Sequence, residues 1–423
     1  MSLQEHFCPS PWFHMRINNA GHYEYCRWAN KDNRFHGENI HTIAPIEFFQ
    51  KSMTPIRTAM QQGQAVSGCA ECYEMEQHHK VSGRERQLLK IGVRTDQFAK
   101  TMASSPWLSE FASDKFSQSP QDWQIDLGNY CNGACVFCNP SSSSRLATEW
   151  KKIGIASAES KPNWADDPEL VAKLVSTLEQ SPNIQYIHFI GGETLITPAF
   201  RTILQALIQS GLNHTATIGF TTNLITWDND VVELLTQFKG INLGMSVESF
   251  TPINDYVRWP ASMPVVQDKL NRWLELAKKH NWFVQFRITP TVLSVQDLLS
   301  IHDYAWQHRI AVESCNFLTS PSFMKSSVLP MQYRQPIIDR MQSWIDEHGK
   351  NSNIVVNTRN PDFAQDQIVQ DLESYVNYLR NAPDESHRLP ELVDYLKRLE
   401  NNRGNSILTY LPEYEELFRT AGY

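Results

Sequence analysis

The sequence predicts an α/β protein: a partial (six-strand) parallel β/α barrel with a small cysteine-bearing domain in front and helices behind. Three observations carry that expectation. Strand-like and helix-like runs alternate between about residues 121 and 320. Seven of the eight cysteines gather in two groups, one before this alternation and one just after its first strand. Beyond residue 330 the periodicity is helical.

The chain has 423 residues, 41% of them apolar and 11% aromatic, enough for a substantial packed core. That length suits two or three domains, or one large α/β domain with attachments. A formal charge of −8 disfavours a protein whose main task is gripping nucleic acid. No apolar run approaches the roughly 18 residues that span a bilayer, so no membrane is expected. The start, "MSLQEHFCPSPWF", lacks the basic and apolar regions of a signal peptide, and a cytoplasmic location is expected.

Residues 1–100 form short, irregular elements, with Gly21 as a turn between two short strands, and residues 101–120 form a connection. Six strand candidates follow: 123–129, 184–192, 216–223, 241–249, 282–290 and 310–318. Amphipathic stretches such as "PELVAKLVSTLEQ" and "VVQDKLNRWLELAKKH" lie between them. Six β–α units in series call for a parallel sheet covered by helices, with functional residues at the carboxyl ends of the strands. The domains expected are 1–100, the barrel at 121–320, and a helical extension at 330–423.

In a reducing cytosol, clustered cysteines are metal ligands or reactive thiols rather than disulfides. The stretch "GNYCNGACVFCNP" carries Cys131, Cys135 and Cys138 on one short loop after the first barrel strand. A closed structural zinc site takes four ligands. Three leave one metal position open, which suits an iron–sulfur cluster that must bind something else. Phe137 stands ready to shield it. The second barrel strand ends in "GGETL", and the fourth ends in "MSVES" before "FTPINDYVR". Ser246 and Glu248 share one strand face. Taken singly, the glycines are a strand-end turn, and Asp255 with Arg258 is an exposed ion pair.

Taken together, these residues resemble the radical S-adenosylmethionine (AdoMet) enzymes, over about residues 120–320. The resemblance implies that Cys131, Cys135 and Cys138 hold a [4Fe–4S] cluster chelated by AdoMet. Gly191, Gly192 and Glu193 match the motif that holds the methionine amino group. Ser246 and Glu248 resemble the ribose-binding motif, and Arg258 would pair with the AdoMet carboxylate. It further implies an external electron donor such as flavodoxin or ferredoxin, cleavage of AdoMet to a 5′-deoxyadenosyl radical, and hydrogen abstraction from substrate. The "TTN" at 221–223 and Arg287 are further cavity candidates.

Cys8, Cys26, Cys69 and Cys72 read either as a tetrahedral zinc site or as ligands of a second cluster. Their spacing resembles the SPASM and twitch extensions of radical AdoMet enzymes, here placed N-terminally, which implies one auxiliary [4Fe–4S] cluster. The basic stretch 76–90 beside Cys72 reads as a solvated face or a contact for an acidic substrate. "NNRGNSILTYLPEYEEL" resembles a closing helix.

The expected substrate is a peptide or an amino-acid derivative, undergoing oxidation or cross-linking. The alternatives are a sugar or alcohol dehydrogenase or epimerase, and a non-catalytic iron–sulfur or zinc protein. Cys315, outside both groups, is either a buried core thiol or a hydrogen donor to a substrate radical.

Overall fold

The computed structural model describes residues 6–27, 29, 37–77, 82–90, 118–155, 163–314, 317–349 and 361–423. Eight strands form one sheet: β1 His14–Ile17, β2 Tyr23–Glu24, β3 Asp122–Asp126, β4 Tyr186–Ile190, β5 Thr217–Thr222, β6 Gly240–Ser246, β7 Phe283–Arg287 and β8 Ala311–Glu313. Their order is β2-β1-β3-β4-β5-β6-β7-β8. Every neighbouring pair from β1 to β8 is parallel, and only β2 runs antiparallel to β1. The six expected barrel strands are β3 to β8, and this is the partial barrel read from the sequence.

The first two strands belong to the same sheet. His14 to Ile17 of β1 pair in register with Asp122 to Ile125 of β3. Gly21 turns the β1–β2 hairpin at φ +80°, where an added Cβ would press on Ile40 at 3.0 Å.

Helices cover one face of the sheet. Pro168–Glu179, Pro198–Gln209, Asn229–Leu235, Met263–His280 and Leu298–His308 follow the successive strands. Their starts carry the expected chemistry: Asp167 and Asp228 cap with their carboxylates, and proline stands in the first turn of three of them. Along β3 and β4 burial alternates, turning Trp123, Ile125, Ile187 and Phe189 toward the helices. An aromatic chain then ties strands to helices, from Phe189 to Phe200, Phe220 and Trp273, with ring centres 5.0 to 5.9 Å apart. Each such buried ring stabilises the fold by roughly 1.5–3 kcal/mol.

The other face is polar. Arg16, Gln124, Asp126, His188, Asn242 and Arg287 sit there in half-buried positions. A closed barrel fills its interior with branched apolar side chains. A polar lumen instead leaves a cavity for a ligand.

The C-terminal helices are Met331–His348, Pro361–Asn381, Leu389–Arg403 and the short Glu415–Thr420. The second is pinned to the barrel edge, where Asp371 accepts from the Ser314 N–H at 2.9 Å and Gln367 from Val312 at 2.8 Å. Among the described residues no helix is long and apolar enough to cross a membrane.

Candidate active site

The loop after β3 is built by its own backbone and by three neighbouring segments. Ser143 caps the helix Ser144–Lys152 by accepting from Leu146, while its hydroxyl donates to Gly133 O at 2.7 Å. Gly133 N–H points at Cys131 Sγ at 3.4 Å, and Asn223 Nδ2 approaches the same sulfur at 3.9 Å while donating to Asn132 Oδ1 at 2.7 Å. Ala134 and Val136 donate to the carbonyls of Trp259 and Val257.

The glycine pair after β4 serves this loop. Gly192 N–H donates to Gly128 O at 2.8 Å, and Glu193 N–H donates to Tyr130 O at 2.6 Å. A Cβ on Gly192 would lie 2.0 Å from Tyr130 O, so only glycine lets the two strand ends touch. Gly191 adopts φ +123°, and a Cβ there would meet Gly128 O at 2.6 Å.

Glu193 is 1% exposed. Its Oε2 accepts from the Asn223 N–H at 2.7 Å, and Oε1 is buried with no hydrogen-bond partner among the described residues. Burial pushes its carboxyl up to about 7, opposed by the Asn223 N–H. A buried acceptor lacking a donor fits a cationic group such as the AdoMet ammonium.

Glu248 and Arg258 form a buried ion pair at 2.8 Å, and Glu248 Oε2 also accepts from Thr289 N–H at 2.9 Å. Burial raises the Glu248 carboxyl against the pull of Arg258. Arg258 therefore pairs with Glu248 rather than at an exposed helix start. Its Nε is buried without a partner among the described residues, and its guanidinium lies 5.9 Å from the Phe137 ring. Ser246 ends β6 beside Arg287 of β7, whose guanidinium reaches Glu313 at 2.9 Å.

None of the seven described cysteines is in a disulfide. Desolvation pushes Cys131 up to about 11 and Cys138 up to about 12 and also raises Cys135, so these groups must release protons to bind metal. The same cause lifts Cys8 to about 11 and Cys69 to about 12.

Cys8, Cys26, Cys69 and Cys72 line one small cavity with Tyr25, Ala29, Gly68 and Arg84. Among the described residues, however, no group of three or more His, Cys, Asp or Glu side chains is placed for a single metal ion. Zinc–sulfur bonds of about 2.3 Å demand close thiolates, whereas a four-iron cluster keeps its thiolates further apart. Shared lining of a cavity is therefore the more telling observation. Of the basic stretch 76–90, Arg84 turns inward, donating to Glu76 and to Phe7 O at 3.1 Å.

Cys26 lines a second cavity of about 90 Å³, whose wall includes Arg27 and the inner-face side chains His14, Asp122, Gln124, Tyr186 and His188. The N-terminal thiol site thus abuts the barrel lumen. Cys315 falls outside the described residues. Sequence reasoning passed over Tyr395 and Arg403, which buttress the cysteine loop from the helix Leu389–Arg403, and Glu149 of the helix Ser144–Lys152, which holds Arg403. Their only signal was the arginine inside "NNRGNS".

The Radical SAM superfamily matches residues 125–303. No curated protein matches the chain. Among solved structures, Streptococcus suis SuiB bound to S-adenosylmethionine is 15% identical, with 81% of this chain and 71% of that one covered and a TM-score of 0.39. AnSMEcpe with bound AdoMet is 17% identical over 53% of this chain and 60% of that one, with a TM-score of 0.38. The methyltransferase TsrM from Kitasatospora setae is 13% identical over 46% and 35%, with a TM-score of 0.31.

Proposed function

We propose that this chain, a radical SAM enzyme by its matched core, oxidises or cross-links a peptide or amino-acid-derived substrate held in the barrel lumen. AdoMet bound at a [4Fe–4S] cluster supplies one-electron chemistry able to remove hydrogen from an unactivated carbon. The chain's own residues supply the rest. Cys131, Cys135 and Cys138 would hold that cluster, Glu193 the AdoMet ammonium, Arg258 its carboxylate, and Ser246 with Glu248 the ribose edge. Side chains on the inner sheet face orient the substrate, and the apolar outer face keeps the sheet rigid behind it.

The observation that carries oxidation is the position of Cys26, which lines both the four-thiol cavity and the lumen. A second [4Fe–4S] cluster on Cys8, Cys26, Cys69 and Cys72 would stand against the substrate, suited to taking up an electron. The lumen carries charge pairs of both signs, Arg16 with Glu24 at 2.8 Å and Arg287 with Glu313 at 2.9 Å. Such a surface complements the amides and charged groups of a peptide. An external donor such as flavodoxin or ferredoxin, in a cytoplasmic setting, supplies electrons.

A second reading has one observation in its favour. The enclosed cavity at Cys26, about 90 Å³, admits only a few atoms, as a sugar or alcohol substrate would need. In that reading Cys315 is the hydrogen donor of an epimerase.

The deciding experiment incubates anaerobically reconstituted enzyme with reductant, AdoMet and pools of short peptides or sugars. Formation of 5′-deoxyadenosine, with a peptide product lighter by two hydrogens, supports the first reading. A sugar product, or deuterium incorporated from heavy water, sinks it. No AdoMet cleavage under any condition would return the chain to the non-catalytic class.

A further inference from the structure

The segment 134–136 carries Cys135 and is hydrogen-bonded from both sides. Its N–H groups at Ala134 and Val136 donate to Trp259 O and Val257 O at 2.6 and 2.9 Å. The carbonyls of the same two residues accept from elsewhere. Arg403 Nη2 donates to Ala134 O at 2.7 Å, and the Tyr395 hydroxyl donates to Val136 O at 2.9 Å. Both donors sit on Leu389–Arg403, 269 and 259 residues further along the chain. Buried backbone must find partners for all its polar groups, and the helix Leu389–Arg403 supplies the two that the barrel does not.

Arg403 brings charge as well as a hydrogen bond. Its side chain is 1% exposed, and Glu149 accepts from its Nε at 2.8 Å. Asn402 holds the same Glu149 oxygen at 2.9 Å. The guanidinium lies 5.7 Å from the Trp259 ring, and its Nη1 is buried without a hydrogen-bond partner among the described residues. A guanidinium stays charged at any working pH.

Resting on the cluster that the three loop thiols would hold, and not on the choice of substrate, we propose that Arg403 is a positioning residue that raises this cluster's reduction potential. Hydrogen bonds and net charge around the sulfurs set such potentials. Reduction adds an electron to a buried, thiolate-rich centre, and a fixed cation beside Cys135 favours the reduced form. Holding Ala134 O keeps that cation in place relative to the loop. The helix Leu389–Arg403 would then be part of the redox centre rather than a cover over it.

EPR-monitored potentiometry on the anaerobically reconstituted full chain tests this, with the three-thiol cluster identified by its response to AdoMet. Arg403→Gln combined with Glu149→Gln removes the cation that touches the loop together with its counter-charge, without stranding a buried partner. Its midpoint is expected to fall by at least 59 mV, a tenfold change in the reduced-to-oxidised ratio. Arg403→Lys keeps the charge and is expected to stay within that margin. Glu149→Gln alone, which keeps the cation and removes its counter-charge, should move the midpoint upward. A wild-type midpoint in the double variant at full iron content overturns the proposal. So does a Lys variant shifted as far as the double variant, or a Glu149→Gln midpoint that stays put or falls.

Discussion

Glu248 and Arg258 pair at 2.8 Å with side chains only 1% and 9% exposed, beneath the loop that carries the three thiols. Removing one partner of such a pair strands the other. Arg258→Met is expected to destabilise the cluster-free chain by about 3–5 kcal/mol, and Arg258→Met with Glu248→Leu by much less. Urea unfolding of both variants checks this, and equal losses would show that the pair is not what holds the segment.

Metal content separates the two thiol groups. Fully loaded enzyme should carry about eight iron and eight sulfide, from two four-iron clusters. Alanine at Cys131, Cys135 and Cys138 together should leave about four of each and end AdoMet cleavage. Stoichiometric zinc with only four iron would overturn the cluster at Cys8, Cys26, Cys69 and Cys72.

Glu193 makes a pH prediction. Its folded-state pKa of about 7 lies above the usual value near 4.3 of an unfolded chain. The native chain therefore binds the extra proton between those values. Stability from this group is fully present below about pH 4.3 and is lost as pH rises through about 7, by roughly 4 kcal/mol. Melting curves of the cluster-free chain should show the slope, and Glu193→Gln should reduce it, the remainder belonging to Glu248 and Asp126, whose carboxyls burial also raises.

Binding of AdoMet gives the complementary readout. Glu193→Ala and Ser246→Ala should each weaken it while leaving the iron content unchanged, roughly tenfold or more for the charge-assisted contact at Glu193. Unchanged affinity in both would show that these side chains face something else.

Gly192→Ala tests the seam between β4 and the thiol loop. With its Cβ 2.0 Å from Tyr130 O, backbone must shift on one side or the other. The expected result is loss of iron from the three-thiol site and a destabilisation of about 1–3 kcal/mol or more. Full iron retention would mean that the loop has slack.

Much of this was readable in the sequence because it is local. The strands β3 to β8 announce themselves by runs of β-branched and aromatic residues between amphipathic helices, and the thiol loop by spacing alone. The functional residues lie just past the strand ends, so the predicted run 310–318 overshoots β8, which stops at Glu313. What escaped was non-local. "HMRI" is too short to declare itself a barrel strand, and its partner β3 lies over a hundred residues later. Arg403 looked like any charged residue at a helix end until the fold brought it to Ala134. The glycines of "GGE" were legible as a strand-end turn or a ligand-holding motif, but what they approach in the protein is the backbone of Gly128 and Tyr130.

The pairing of β1 with β3 governs the order in which the molecule can be assembled. At the usual synthesis rate of about 5–20 residues per second, β1 waits several seconds for its neighbour to be made. Through that interval Cys8 and Cys26 flank a strand with no sheet to join, yet Cys69 and Cys72 are already available to meet them. The three-thiol loop cannot be completed until Tyr395 and Arg403 have been made. The four N-terminal thiols are therefore all made long before the three-thiol loop gains the last of its partners.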